Sequence, residues 1–343
     1  MKFDYYVLNT YVPSVDGDGP DIYAKWLEQV VMAEDLGFEC AWFTEHHFGR
    51  FGGMLPSPGL LISSLAQRTV RMRLGTAVVL LPVHHPVHVA EELAELDILT
   101  AGRLNVGVGR GMASQPYRVF GTDPALAQEK LEEQVEILLG AWTTTPFRWL
   151  GKYYQVPDPI TVRPTPLQKP HPPLWMPASS DVEHARWIGR HGANLMTLPW
   201  LQGFDVTRRV IDAYRAGLSE GGVGTRERQV LSYLPIYVGA TERAAAEESE
   251  RFWRGFSEVA DEERGRPAPN PMSFAHLVAE SRLIFGDSVH CRDHIARIAA
   301  ELSVDRLALM FHFGGMPQPL ALASMRRFAS EVAPAFSGSS SES

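Results

Sequence analysis

Short β-rich apolar runs alternate along this chain with stretches whose apolar positions recur every three or four residues, the pattern of strands feeding amphipathic helices. Strands are predicted over Phe3 to Asn9, Cys40 to Thr44, Arg73 to Leu80, Arg103 to Val108, Pro173 to Met176, Ala193 to Thr197, Val230 to Val238 and Asp305 to Phe311. Between them, Ile22, Trp26, Val30, Ala33 and Leu36 share one helical face, as do Val89, Leu93 and Leu96, and then Leu131, Val135, Leu138 and Trp142. Later, Ile295, Ile298 and Leu302 repeat at the same spacing, and Leu322, Met325, Ala329 and Val332 predict a closing helix that ends before Pro334. This many strands with helices between them favour a closed (β/α)₈ TIM barrel over an open doubly wound sheet.

Two regions break the rhythm, and both are expected as insertions at the face formed by the strand C-termini. Pro146 to Pro173, rich in proline and aromatics, is too long for an ordinary connection and is expected to fold over the barrel. The stretch from about Gly255 to Gly286 carries a charged run followed by Pro267, Pro269 and Pro271, and reads as a polar, mobile lid. Residues 1–336 are expected to form one domain, and the Ser-rich tail 337–343 has nothing to bury and reads as disordered.

Composition adds exclusions. Apolar residues make up 45% and charged residues 21% of the 343, which fits a packed globular core. The formal net charge of -8 offers no cationic footprint for a nucleic-acid backbone, so nucleic acid is not an expected partner. Cys40 and Cys291 cannot build a disulfide framework, and the opening Met1-Lys2-Phe3 is not a signal core, so a cytoplasmic location is expected. No stretch approaches the roughly 18 to 20 apolar residues of a membrane helix, and no membrane partner is expected.

Active sites of barrels gather at the carboxyl ends of the strands. The first strand ends without a His-x-His pair, which removes the opening signature of metal-dependent barrel hydrolases, and no metal is expected. The second ends in Glu45-His46-His47-Phe48, two imidazoles and a carboxylate able to move or hold a proton near neutral pH. The alternation of an extended strand would turn one imidazole inward and the other outward. Gly75 and Ala77 on the third strand would let a flat ring approach the backbone. The fourth ends in Gly107-Val108-Gly109-Arg110-Gly111-Met112, whose glycines lack the dinucleotide-binding spacing but whose arginine is placed to reach a phosphate. After the fifth, Ala178-Ser179-Ser180-Asp181 precedes a helix, where free N–H groups and hydroxyls either hold a phosphate or simply cap the helix.

Taken together, Glu45-His46-His47-Phe48, Gly75-Thr76-Ala77, Leu81-Pro82, His85-Pro86-Val87, Ala90-Glu91, Gly102-Arg103, Arg110-Gly111 and Arg118-Val119-Phe120-Gly121-Thr122-Asp123 resemble the bacterial luciferase-like flavin monooxygenases, and particularly the luciferase alpha chain. The resemblance implies a barrel that binds reduced FMN as co-substrate, forms a 4a-hydroperoxyflavin with dioxygen and transfers one oxygen atom to an organic substrate. It implies His46 as the catalytic histidine, Ala77-Val78 as a non-proline cis peptide beside the flavin ring, and Arg110 with Ser179 and Ser180 as phosphate ligands, within a cofactor site that also includes Gly109, Met112 and Ala178. His47, Phe48, His85 and Trp200 are expected to line an apolar substrate pocket.

The chain departs from the luciferase alpha pattern at Gly109, where relatives carry cysteine, and around Ser179 to Asp181, where they carry a Glu-Ser pair. The missing thiol argues against light emission; hydroxylation, epoxidation or Baeyer-Villiger oxidation of another apolar metabolite fits as well. No nicotinamide fingerprint is present, so a separate NAD(P)H:flavin reductase is the expected partner, and a homodimer is the expected assembly. Two alternatives stay open: a deazaflavin-dependent oxidoreductase, and a flavin-binding subunit without catalysis.

Overall fold

Every predicted strand forms in the computed structural model, which describes residues 1–8, 10–17, 19–52, 54–111, 114–224, 227–264 and 274–336. They are β1 (Lys2–Val7), β2 (Cys40–Phe43), β3 (Arg73–Thr76), β4 (Leu104–Gly109), β5 (Leu174–Pro177), β6 (Asn194–Thr197), β7 (Val230–Val238) and β8 (Arg306–Met310). Neighbours in the sheet follow chain order, and β8 pairs in parallel with β1 to return to the start, which makes the fold a (β/α)₈ barrel. A parallel sheet covered on both faces needs apolar residues throughout, and all nine residues of β7 are buried.

The chain packs as two compact units: Met1–Trp42 with Gly49–Met54 and the chain from Met176 onward, and Phe43–Phe48 with Leu55–Trp175. In the first unit Asp4 on β1 is fully buried and receives a forked bond from Arg306 (2.5 and 2.8 Å) and one from the Trp42 indole at 2.9 Å. Its helices Val182–Arg190 and Phe204–Glu220 touch backbone to backbone. A Cβ added at Gly189 would lie 2.2 Å from the Tyr214 carbonyl, and one at Gly217 2.1 Å from the Arg186 carbonyl. Trp200, Trp253, Phe256, Phe285 and Phe313 form an aromatic core in the same unit.

The stretch predicted as a polar lid begins inside a helix, Glu242–Arg264, whose Trp253, Phe256, Val259 and Ala260 are buried. It resumes with a helix at Phe274–Ala279 and a strand at Ile284–Gly286 paired to β7. The polarity of the intervening charges hid this apolar stripe. Residues 265–273, the predicted tail 337–343, the strand end at Asn9 and the candidate Met112 lie outside the described residues.

In the second unit the predicted third strand divides. Pairing with β4 joins Gly75 to Asn105 and then Val79 to Val108, so this strand advances four residues while β4 advances three. The extra residue falls at Ala77–Val78, whose peptide bond is cis. Thr76 fills the break in the ladder: its hydroxyl donates to the Gly107 carbonyl at 2.7 Å and accepts from the Gly107 N–H at 2.8 Å.

The insertion Pro146 to Pro173 makes contacts toward both ends of the strands, with Tyr154 against His85 in the connection that follows the third strand. Its hairpin, Phe147–Leu150 with Gln155–Ile160, packs on helix Ala127–Thr143, where Trp149 donates to Glu133 at 3.1 Å. Its later part reaches the opposite end of the strands: Gln168 donates to the Leu104 carbonyl at 2.8 Å and accepts from Arg73 at 2.9 Å. Unsatisfied groups at the starts of β3 and β4 draw the segment there.

Candidate active site

The ladder of β2 stops at Phe43, whose carbonyl accepts from the Ala77 N–H at 2.7 Å. The chain then turns through Glu45 and His46, and the His46 N–H donates to the Leu55 carbonyl at 3.0 Å. Glu45 is only 4% exposed, and its carboxylate gathers three bonds. His47 Nε2 and His84 Nε2 reach Oε1 at 2.9 and 2.7 Å, and the Leu80 N–H reaches Oε2 at 3.0 Å. An ionised carboxylate only accepts, so each imidazole places its proton on the nitrogen facing Glu45.

Burial pushes the Glu45 carboxyl up, but the bonds from His47, His84 and Leu80, with the charge of His84, outweigh it and hold the group below its ordinary range. Burial pulls His84 down, yet the Glu45 bond and charge, with the more distant Glu92, raise it above the usual imidazole value. Neighbouring His46 behaves in the opposite sense. Burial lowers it to about 4, the Glu45 charge opposing and His47 adding to the effect. His46 is therefore a neutral imidazole at neutral pH, with one donor and one acceptor nitrogen.

At the end of β4, Gly109 is buried and Arg110 is exposed. The Arg110 carbonyl accepts from the Tyr117 hydroxyl, while its guanidinium has no hydrogen bond or ion pair among the described residues. Gly111 follows at φ +73°, and a Cβ there would lie 2.8 Å from a Leu80 methyl. Phe48, 55% exposed at φ +65°, packs on His47 and Phe120 with ring centroids 5.5 and 5.6 Å apart.

His46, His47, Phe48, Ala77, Val78, Gly109 and Arg110 thus belong to one unit. His85 belongs to it as well, but precedes helix Pro86–Leu99 and sets its ring edge-on to Tyr154 of the hairpin, 5.8 Å away. In the other unit, buried Ala178 donates its N–H to the Met196 carbonyl at 3.0 Å, with Ser179 half-buried and Ser180 exposed after it. The following helix is capped by Asp181, which accepts from the His184 N–H at 3.0 Å, so capping does not fall to the serines. Trp200 is 8% exposed and packs edge-on to Trp253 at 5.8 Å.

Sequence reasoning saw Glu45 without assigning its partners and did not single out His84. Glu45 was visible as a carboxylate beside two imidazoles, but nothing in the chain order fixed it as their common acceptor. His84 differs from His85 only by one position, and the turn Leu81–Val83 decides which ring faces Glu45.

A neutral imidazole, a clamped carboxylate and an open guanidinium at the carboxyl ends of barrel strands define an enzyme of the (β/α)₈ class. The chain belongs to the luciferase-like monooxygenase family, whose family model matches residues 1–306, and it is an oxidoreductase. It is 31% identical over 331 residues to an uncharacterised protein of Sinorhizobium fredii, covering 93% of this chain and 94% of that one. It is 28% identical over 335 residues to the oxygenase component of the flavin-dependent trigonelline monooxygenase of Acinetobacter baylyi, covering 93% and 91%. Among solved structures, a monooxygenase from Streptomyces bottropensis superposes with a TM-score of 0.90 at 26% identity, covering 98% of this chain and 100% of that one. More distant structures share the fold alone. They include a Pseudomonas putida Baeyer-Villiger monooxygenase component in complex with FMN (18%, TM-score 0.80, covering 97% and 98%) and an F420-dependent secondary alcohol dehydrogenase (19%, TM-score 0.76, covering 97% and 98%). No helix among the described residues is long and apolar enough to cross a membrane.

Proposed function

We propose that this chain is the oxygenase component of a two-component system that takes reduced FMN from a separate NAD(P)H:flavin reductase and uses dioxygen to oxygenate an apolar small molecule. The observation that carries the reading is Arg110: an exposed guanidinium at a strand C-terminus, without a side-chain partner among the described residues, beside the bare backbone of Gly109. A forked, permanently charged donor suits a phosphate, and strands lined by Gly75, Ala77 and Gly109 suit the close approach of a flat ring. The donor set therefore fits FMN.

Reduced FMN, when bound, supplies the electrons that activate dioxygen for insertion of one oxygen atom. Arg110 is the residue proposed to hold the phosphate; Ser179 and Ser180, which do not cap the helix that follows them, are hydroxyl donors of the kind a phosphate takes. Neutral His46 offers a proton donor and an acceptor at its two imidazole nitrogens, without adding a positive charge to the site. Val78 and the Phe48 ring, which packs on His47 and Phe120, give this end of the strands apolar surface for a substrate, with His47 and His85 as further pocket candidates of the same unit and Trp200 as a candidate in the other. Hydroxylation, epoxidation and Baeyer-Villiger oxidation are all within the reach of this arrangement.

The test is an anaerobic titration of the purified protein with photoreduced FMN and, separately, with reduced F420, followed by mixing with oxygenated buffer in a stopped-flow spectrophotometer. Saturable binding of reduced FMN, with oxidation slowed relative to free flavin and hastened in His46→Ala, is the expected result. Binding of F420 without FMN would overturn the cofactor assignment and turn the reaction to hydride transfer.

A further inference from the structure

We infer that Glu45 is a positioning residue that fastens the end of β2 to the turn after β3, so that His46 and the Ala77–Val78 segment keep one fixed geometry. The turn is held from three sides. The Gln134 amide donates to the carbonyls of Leu81 and His84 at 2.7 and 2.9 Å, and the Thr122 hydroxyl donates to the Pro82 carbonyl at 2.9 Å. Both come from elements that follow β4, while the tie from Ala77 N–H to the Phe43 carbonyl reaches β2 before the turn begins. Glu45 connects the turn itself to the end of β2: one oxygen takes the Leu80 N–H, two residues beyond the cis bond, and the other takes the His84 imidazole.

The same second oxygen also takes His47, next in the chain to His46. One buried acidic side chain thereby spans both segments on which the flavin reading depends, and the inference rests on that reading for its functional consequence. The groups that bear on this carboxylate are His47 on its own segment, His84 on the turn and His46 beside it, with Glu92 of helix Pro86–Leu99 acting on His84 from the far side. Three donors converge on an acceptor-only group, and each bond is charge-assisted.

Chemistry dictates what substitutions do. In Glu45→Gln one acceptor oxygen becomes an NH₂ donor, so the amide must turn a donor either toward Leu80 N–H or toward the two imidazoles. His84→Ala removes one tie, and His84→Gln keeps a neutral donor there. The His84 side chain is 35% exposed, so its variants are expected to fold even if Glu45→Gln does not.

The deciding experiment is hydrogen exchange of the flavin-free protein at Leu80 to His84, paired with the affinity for reduced FMN. Losing a bond to a charged group predicts exchange about tenfold faster and reduced-FMN affinity about tenfold weaker in His84→Ala and Glu45→Gln, with His84→Gln restoring most of both. Unchanged exchange in both variants would overturn the clamp. Faster exchange with unchanged flavin affinity would overturn its positioning role and leave a structural tie. Wild-type protein that binds no reduced FMN would refute the flavin reading, and exchange alone would still decide the clamp.

Discussion

At the amino-terminal ends of β3 and β4, Arg73 and Arg103 are fully engaged. Arg73 bonds to Asn105, Gln168 and the carbonyls of Gly102 and Leu104, and Arg103 to the Thr69 hydroxyl and the carbonyls of Ala66, Thr69 and Met72. At the other end of β4, Arg110 points an identical group outward with no such partners among the described residues. The guanidinium is the same in each case, and its surroundings assign the work. Where backbone carbonyls at strand starts need donors, arginine staples the fold; where β4 ends beside glycines, it is left exposed, as the proposed phosphate-binding role requires. Barrels divide stability and function between their two ends in this way.

The sharpest way to break this contrast is to remove both kinds of arginine. Arg103→Ala is expected to destabilise the protein by about 3 kcal/mol, because several carbonyls lose a charged donor together, as read by chemical denaturation. Arg110→Ala is expected to shift stability by less than about 0.5 kcal/mol while weakening reduced-FMN binding roughly 10- to 100-fold. A large stability loss in Arg110→Ala would erase the distinction.

A smaller effect sharpens it. Gly111 holds the left-handed backbone that follows Arg110, and its missing Cβ leaves room for Leu80. Gly111→Ala is expected to cost about 1 to 2 kcal/mol in stability and to displace Arg110, lowering flavin affinity as well. The thermal midpoint and the flavin titration read the two effects separately.

A further contrast comes from pH, where His46 and His84, both close to Glu45, act in opposite directions. His46 is lowered from 6.5 to about 4, so its contribution to stability is complete above the ordinary value and is lost as pH falls through about 4. His84 is raised, so its contribution is complete below the ordinary value and is lost as pH rises through its raised value. Unfolding curves recorded from roughly pH 4 to 8 are expected to flatten at the acid limb in His46→Gln and at the alkaline limb in His84→Gln. Parallel curves for wild type and both variants would show that neither imidazole titrates as its surroundings dictate.

Much of this arrangement was legible in the chain. Seven of the eight strand predictions fell within one or two residues of the observed boundaries, because parallel strands and amphipathic helices write distinct periods. The exceptions are instructive. Arg73 to Leu80 reads as one continuous apolar run, since the break at Ala77–Val78 changes backbone geometry without changing hydrophobicity. The Gly255 stretch reads as polar because its charged residues mask the buried Phe256 and Val259.

The sequence by itself determined the repeating strand and helix units, the barrel they imply, and the residue types at the strand ends: Glu45 with His46 and His47, the small residues of β3, and Arg110. Those properties are local, set by period, side-chain chemistry and chain order. Only the tertiary structure decided that Glu45 is shared by His47 and His84 rather than His85, that Asp181 and not a serine caps its helix, and that Arg73 and Arg103 are engaged while Arg110 is open. The Asp181 cap is local and was one of several candidates the same segment offered. The Glu45–His84 bond and the engagement of Arg73 with Gln168 and of Arg103 with Thr69 depend instead on distances between residues remote in the chain, which exist only once the strands have paired.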